Sequence, residues 1–538
     1  LRHLQAYVPS SVFPGAMPAA EVERNAESLR RVIDDCLDHA LACALWITEL
    51  PCQGGPWTPE AERAAFLGRY PEAVLCDTGS YEGKGLCFGH PDVQAYYREA
   101  IHRFFGQFPE IGTLFVFHLD SGGRFCDPAT CPRCRGLSLF AQRKRFLEFL
   151  IAEGSRVRPG LRVLTTTWGW EELDCPACVA HQSELPESSG IFMAAGKDGW
   201  QAERQSHDFL RDMRRCTRQA GQWFIGYDNF HWGDDSVHHL RDIQDYPLGI
   251  AAKMRRWAEL GVDGVFDHWG GFGEDVACNS VAVRAFSENP FADPDAVCRD
   301  IAERQFGEQS GPLVYSAWQA LEEAQRALSP VCTWAPRQWP AWYQAWNVPP
   351  AHEALSRQLV RFQHEGDGHP LPEKKANGHV YNAGTPEQLT GAVGVAWRHA
   401  EPHFAKALGR MREAGHSADE SPVGYAHWWD GPVPSRRGHI GRQALYIEAI
   451  WTVGREIGIH FSLLSLCARL GDTPARFAAE ARALYADDAE ACRRILGFLD
   501  RVMAAGEMRV AGIEPLPRTR YAERLAWLER ELAQDADT

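Results

Sequence analysis

Between Leu4 and Phe266, short apolar runs rich in β-branched and aromatic residues alternate with longer amphipathic segments, and this alternation constrains the fold more than any other feature of the chain. The runs read as strands are Leu4–Val8, Ala42–Thr48, Thr113–Leu119, Leu161–Thr167, Gly190–Ala195, Trp223–Tyr227, a short Pro247–Gly249, and Val262–Phe266. Helical spacing of apolar residues marks Ala19–His39, Asp92–Phe105, Leu137–Gly154, Ser206–Ala220 and Ile250–Gly261. Repeated strand–helix units build a parallel sheet, and eight of them predict an α/β fold, a (β/α)8 TIM-type barrel over residues 1–288. An open doubly wound sheet is the competing fold, but no G-x-G-x-x-G follows any of the strands.

From Asn289 the strand signal fades. Asp293–Phe306, Gly311–Leu328, Ala351–Phe362, Pro386–Gly415, Arg442–Arg469, Thr473–Tyr485 and Asp487–Gly506 all carry helical spacing, so an all-α C-terminal domain is expected over residues 289–538. Two aromatic clusters fall in it, Trp334 to Trp346 and His427-Trp428-Trp429-Asp430, which read first as helical core. A chain of 538 residues is too long for one small core, which agrees with two domains. The net charge of −15 and the lack of a basic block argue against a nucleic-acid partner. No apolar run reaches the ~20 residues of a membrane span. No basic-then-apolar leader is read at Leu1, so a cytoplasmic location is expected; homo-oligomerisation is left open.

The strand ends collect the chemistry. Glu49 follows the second run, and His118 and Asp120 follow the third, before Ser121-Gly122-Gly123. Trp168, Trp170, Glu171 and Glu172 follow the fourth, Asp228, His231 and Trp232 the sixth, and Asp267, His268 and Trp269 the eighth. Barrels place their reactive groups at this end of the strands. Carboxylates among tryptophans suit a sugar, whose apolar CH face stacks on indole while its hydroxyls take carboxylate and imidazole partners. Cleavage of a glycosidic bond needs one carboxyl held protonated as acid and a second ionised as base or nucleophile. Taken singly, each tip carboxylate could equally hydrogen-bond a loop.

Sixteen cysteines spread through a large chain do not form a disulfide framework of the small-domain kind. Two pairs stand out, Cys131-Pro-Arg-Cys134 and Cys175-Pro-Ala-Cys178, whose spacing lets both thiolates of each pair reach one tetrahedral zinc. The expected structural zinc is thus held by Cys131, Cys134, Cys175 and Cys178, with Cys126 and His181 as spare ligands; disulfides or unreacted thiols are the alternatives.

The segments FHLDSGGRFCDPATCPRC, GYDNF (Gly226–Phe230) and GVDGVFDHWGG (Gly261–Gly271) resemble the glycoside hydrolase clan that includes α-glucuronidases and β-hexosaminidases. The resemblance runs on through Asn279 to FADPDAVCRDIAERQFG (Phe291–Gly307), is similar above all to bacterial members, and covers most of the chain. It implies a barrel leading into a helical C-terminal domain and an exo-acting glycosidase, with no cofactor in catalysis. Asp228 matches the clan's carboxylate at that strand end and would be base or polariser of water. Asp120 or Glu172 would be the acid, with Glu171 beside it. Trp168, Trp170, Trp232 and Trp269 would line the sugar pocket, and His118, His231, His268, Asp267 and Glu49 would bind hydroxyls. Two departures stand out. Gly122 occupies the position where α-glucuronidases carry their acidic glutamate, and the Asp-Glu pair of the β-hexosaminidases is missing, Glu171-Glu172 being the nearest. The substrate expected is a glucuronide, an N-acetylhexosaminide or a related sugar. A metal-dependent barrel hydrolase using His118, Asp120, His231 and Asp267 is the enzyme rival, although Leu4–Val8 lacks the HxH such enzymes carry. A non-catalytic carbohydrate-binding protein is the other.

Overall fold

In a computed structural model of the chain, six of the runs are strands: β1 (Cys43–Thr48), β2 (Ile111–Phe117), β3 (Arg162–Thr166), β4 (Ser189–Ala194), β5 (Trp223–Asp228) and β6 (Gly264–Asp267). The structure describes residues 4–14, 18–48, 64, 68–73, 86–117, 125–166, 175–194, 207–228, 245–267, 277–328, 386–423, 435–470, 474–504 and 518–534. The strands lie side by side in chain order, and β1–β2, β2–β3 and β3–β4 pair in parallel, with Trp46 level with Phe115 and Thr165 level with Ile191. Parallel neighbours need a crossover between them. Helices supply it in the chain: α1 (Ala19–Asp38) precedes β1, and α2 (Pro91–Gln107), α3 (Leu139–Val157), α4 (Cys175–Ser183), α5 (His207–Gln219) and α6 (Pro247–Leu260) alternate with the strands.

The sheet curls into a half-barrel. Trp46 on β1 and Phe266 on β6 come from opposite ends of the strand order, yet their ring centroids are 5.1 Å apart. Phe115 on β2 and Phe192 on β4 complete the set, 5.0 Å from Phe266 and 5.2 Å from Trp46 respectively. A flat sheet six strands wide would hold its outer strands more than ~20 Å apart at the usual strand spacing. These four rings form one layer inside the curl. On the outer face, Phe104, Phe105 and Phe108 around the end of α2 and Phe146, Leu147 and Leu150 of α3 pack with Leu114, Val116 and Val163 in one buried core.

The expected eight-stranded barrel is corrected here: among the described residues there are six strands. Leu4–Ala6 is a single 3-10 turn. Leu4 and Val8 are buried in the same core as the sheet helices, so the apolar run is real but does not pair. Pro247–Gly249 opens α6 instead of forming a strand. Proline at the first helical position has its φ already set and no N–H to leave unbonded, which makes it a helix start.

The described residues fall into two compact units. The first holds Leu1–Met193 with His207–Gly226 and Gly261–Phe266, and contains most of the sheet. The second takes in Ala194–Ser206, Tyr227–Leu260 and Asp267–Thr538, and is helical: α6, α7 (Ala277–Glu288), α8 (Pro294–Leu328), α9 (Pro386–Ser417), α10 (Arg436–Leu470), α11 (Pro474–Ala504) and α12 (Arg518–Gln534). Two helices expected separately around Gly307 run on as α8, kinked where Gly307 takes φ 83°. Helix α9 lies along both α8 and α10. On α10, Gly454 and Gly458 make room for the Trp397 indole of α9, because a Cβ built at Gly454 would stand 1.9 Å from the ring. No described helix is long and apolar enough to cross a membrane. The expected helix at Ala351–Phe362 and both aromatic clusters lie outside the described residues.

Candidate functional site

The described part of the expected site is the end of β5 and β6. Asp263, just before β6, fixes how these strands start: its backbone N–H donates to Phe224 O at 2.9 Å, and its carboxylate accepts from Phe224 N–H at 2.8 Å. Arg214 on α5 grips the same carboxylate through both terminal nitrogens, at 2.9 and 3.1 Å. From Phe224 and Asp263 the two strands extend over the same number of residues and terminate on Asp228 and Asp267. Two acidic residues thus end neighbouring strands at one level, one residue beyond the ring layer in the case of Phe266.

The other expected site residues follow the described strand ends in sequence. Glu49 comes after Thr48, His118 and Asp120 after Phe117, and Trp168, Trp170, Glu171 and Glu172 after Thr166. His231 and Trp232 follow Asp228, and His268 and Trp269 follow Asp267. All of these eleven residues lie outside the described residues.

The cysteine expectation is corrected. Cys131 and Cys134 come together with Cys87 and Cys126; the Sγ atoms of all four lie within 4.8 Å of one another, and all four residues are buried. Cys87 Sγ is 3.8 Å from Cys131 Sγ and 3.9 Å from Cys134 Sγ. Cys178 is not in this group. It is buried on α4, near Arg143, whose guanidinium pKa is pushed well down by burial and partly restored by the Cys178 sulfur. Cys175 starts the same helix, so Cys175-Pro-Ala-Cys178 is a first helical turn and not a knuckle loop. His181, the other spare ligand, packs its ring on Phe140 at 4.7 Å. Burial, and then the charges of Arg143 and Lys144, push its pKa down to about 3, so the ring is neutral near pH 7.

Each segment of the four-cysteine group is held by the backbone. Gln142 Nε2 on α3 donates to Cys126 O at 2.9 Å, and Cys131 N–H donates to Asp127 O at 2.9 Å. Cys134 N–H returns to Cys131 O at 3.3 Å, and Gly136 then turns the chain with φ 80°. A Cβ at Gly89 would press on Arg133 Cβ at 3.0 Å and on Cys134 Sγ at 3.3 Å, so glycine there lets Cys87-Phe-Gly close on the cluster without pushing these neighbours aside. The hydrogen bond from Cys126 brings the Cys87 thiol down to about 5, while that same contact pushes Cys126 well up and burial pushes Cys134 up to about 12. Without a cation, one negative charge in this pocket suppresses the next. The sequence reading missed Cys87. The signal available was the Cys-x-Gly turn of Cys87-Phe-Gly89, a knuckle-like turn with one cysteine instead of two.

A second buried polar group lies in the helical unit. His439 Nε2 on α10 is 2.9 Å from Asp245 Oδ2, and both side chains are fully buried. Asp245 N–H donates to Gln443 Oε1 at 3.1 Å, and the next N–H, of Tyr246, donates to Asn279 Oδ1 at 2.9 Å. The pair thereby ties the entry of α6 to α7 and α10.

No protein-family model matches the chain, and no curated protein does. Among solved structures, a GH138 enzyme described as targeting pectin rhamnogalacturonan II superposes with a TM-score of 0.58 at 11% identity, over 100% of this chain and 61% of that one. A mutant O-GlcNAc hydrolase of Thermobaculum terrenum aligns over 96% of this chain and 85% of that one, at 8% identity and a TM-score of 0.38. This chain therefore spans 61% of the length of the GH138 enzyme. At such identity the first likeness concerns the fold alone: the chain shares with that enzyme a barrel-like α/β sheet and a set of helices.

Proposed function

We propose that the chain is an exo-acting glycoside hydrolase whose working carboxylates stand at the C-terminal ends of the sheet strands. The observation that carries this reading is the pair Asp228 and Asp267, ending adjacent strands at one level. Parallel neighbours lie ~4.8 Å apart, so two carboxyl-bearing backbones meet within reach of one sugar ring. In this reading Asp228 is the base or polarises the attacking water, and the acid comes from Asp120 or from Glu171 and Glu172, in the segments that follow β2 and β3. Asp267 and the strand-end histidines hold hydroxyls, and the tryptophans among these segments offer stacking faces. Hydrolysis then needs one of these carboxyls protonated and one ionised at working pH. The substrate class is a glucuronide, an N-acetylhexosaminide or a related sugar, and the GH138 neighbour's description adds pectic rhamnogalacturonan II fragments to that range.

The test is initial-rate hydrolysis of aryl α- and β-glycosides of these sugars, together with rhamnogalacturonan II oligosaccharides, using wild type, Asp120→Asn, Asp228→Asn and Asp267→Asn. Turnover of one sugar that falls ~100-fold or more in Asp228→Asn supports the assignment. Turnover untouched by all three substitutions would transfer the chemistry to Glu171 and Glu172. Sugar binding without turnover of any substrate would leave a carbohydrate-binding protein and refute the hydrolase.

A further inference from the structure

We propose that Cys87, Cys126, Cys131 and Cys134 bind one zinc ion as a tetrathiolate, a structural clasp independent of the glycosidase reading. The geometry comes first. Zinc–thiolate bonds are ~2.3 Å, so the edge of a regular ZnS4 tetrahedron is ~3.8 Å. The distances of 3.8 and 3.9 Å from Cys87 Sγ to Cys131 Sγ and Cys134 Sγ match that edge, and the whole set fits within 4.8 Å. A disulfide would bring two sulfurs to ~2.05 Å. The four described thiols are free, and the pairs are too far apart for that bond and at the right distance to share a cation.

The chemistry of the donor set agrees. Four soft sulfur donors in a tetrahedral arrangement select zinc, or iron in sulfur-only sites, over the oxygen-seeking cations. On loading, the thiols that are still protonated release their protons to solvent, and four thiolates around an ion of charge +2 leave a centre of charge −2. The surroundings show why a metal is useful here. Phe125 to Ser138 contains neither helix nor strand, and residues 86–90, which enter α2, contain no more than a single bridge position. The cluster is the centre around which these two stretches fold, and it forms its own small buried group apart from the main core. A zinc ion there does for the loop what a hydrophobic core does for the sheet.

The experiment uses the full chain, expressed in zinc-supplemented medium and purified under reducing conditions without chelator. Metal analysis is expected to find about one zinc per chain, and zinc-edge X-ray absorption to find four sulfur neighbours at ~2.3 Å. These measurements need no variant and stand even if cysteine substitutions fail to fold. Cys87→Ser and Cys126→Ser are expected to lose the zinc, whereas Cys178→Ser keeps it. Overturning results are a metal-free chain whose four thiols all react, a zinc with nitrogen or oxygen neighbours, iron in place of zinc, or zinc that is lost in Cys178→Ser and kept in Cys87→Ser.

Discussion

Two glycine-to-alanine substitutions on packed helices should change stability in opposite directions. In a helix interior, alanine is favoured over glycine by roughly 0.8–1 kcal/mol. At Gly409 on α9 nothing lies within 4 Å of the added Cβ, so Gly409→Ala should stabilise by about that amount. At Gly454 on α10 the added Cβ would stand 1.9, 2.0 and 2.7 Å from three ring carbons of Trp397. Restoring ordinary contact requires the indole to retreat by about 1.5 Å. The ring has little room to do so. It is 5% exposed, its own Cβ already approaches Gly458, and it stacks on Phe404 at 5.9 Å. Overpacking of this kind costs roughly 1–3 kcal/mol or more, and partial expulsion of a buried indole adds to it. With the propensity gain offset by the partial expulsion of the indole, Gly454→Ala should destabilise by roughly 1–3 kcal/mol. Urea unfolding followed by circular dichroism measures both variants against wild type. A second substitution, Trp397→Leu, should recover part of the loss in the Gly454→Ala background and none in the Gly409→Ala background. A neutral or stabilising Gly454→Ala would refute the close packing of α9 on α10.

The buried His439–Asp245 pair should be costly to break. His439→Ala removes one partner of a fully buried hydrogen bond, a loss of roughly 1–3 kcal/mol, and Asp245→Asn in that background should add little in a double-mutant cycle; a cost below ~0.5 kcal/mol would mean that the pair is not energetically coupled. His181 should make the sheet unit acid-sensitive. Its folded pKa, about 3, lies below the ordinary histidine value of 6.5, so the unfolded chain binds the extra proton first. Stability from this group is complete above pH 6.5 and falls as pH drops towards 3, at up to ~1.4 kcal/mol per pH unit. His181→Gln should flatten that part of the stability–pH curve, and an unchanged slope would show that the ring is not held neutral by the fold.

How much of this was legible in the sequence depended on whether the information was local. Strands such as Ile111–Phe117 and Trp223–Asp228, and helices such as Pro386–Ser417, were found within a few residues because period and propensity reside in the segment itself. Leu4–Val8 misled because burial favours apolar residues in a 3-10 turn as much as in a strand. Pro247 misled because the three residues from Pro247 to Gly249 say little without the helix they begin. Cys131-Pro-Arg-Cys134 was legible as a metal-binding turn, but its partners were not: Cys175 and Cys178 share its spacing, whereas Cys87 joins it only through the fold. The partnership of Asp245 with His439, 194 residues apart, leaves no local trace at all. Of the expected site, the ends of β5 and β6 at Asp228 and Asp267 are where the sequence reading and the described structure meet.

That long-range pair has a consequence for how the chain is made. Asp245 and its backbone N–H find partners at residues 439 and 443. At ~5–20 residues per second, a ribosome needs about 10–40 s to supply them. The sheet unit, complete in sequence by Phe266, can condense during that interval, while the segment from Tyr227 to Leu260 belongs to a unit whose remainder is still being synthesised. Closing so long a loop is entropically slow and raises contact order. Nascent chains halted between residues 267 and 438 should therefore carry a folded sheet and an unburied Asp245, and be the species that chaperones hold and proteases remove.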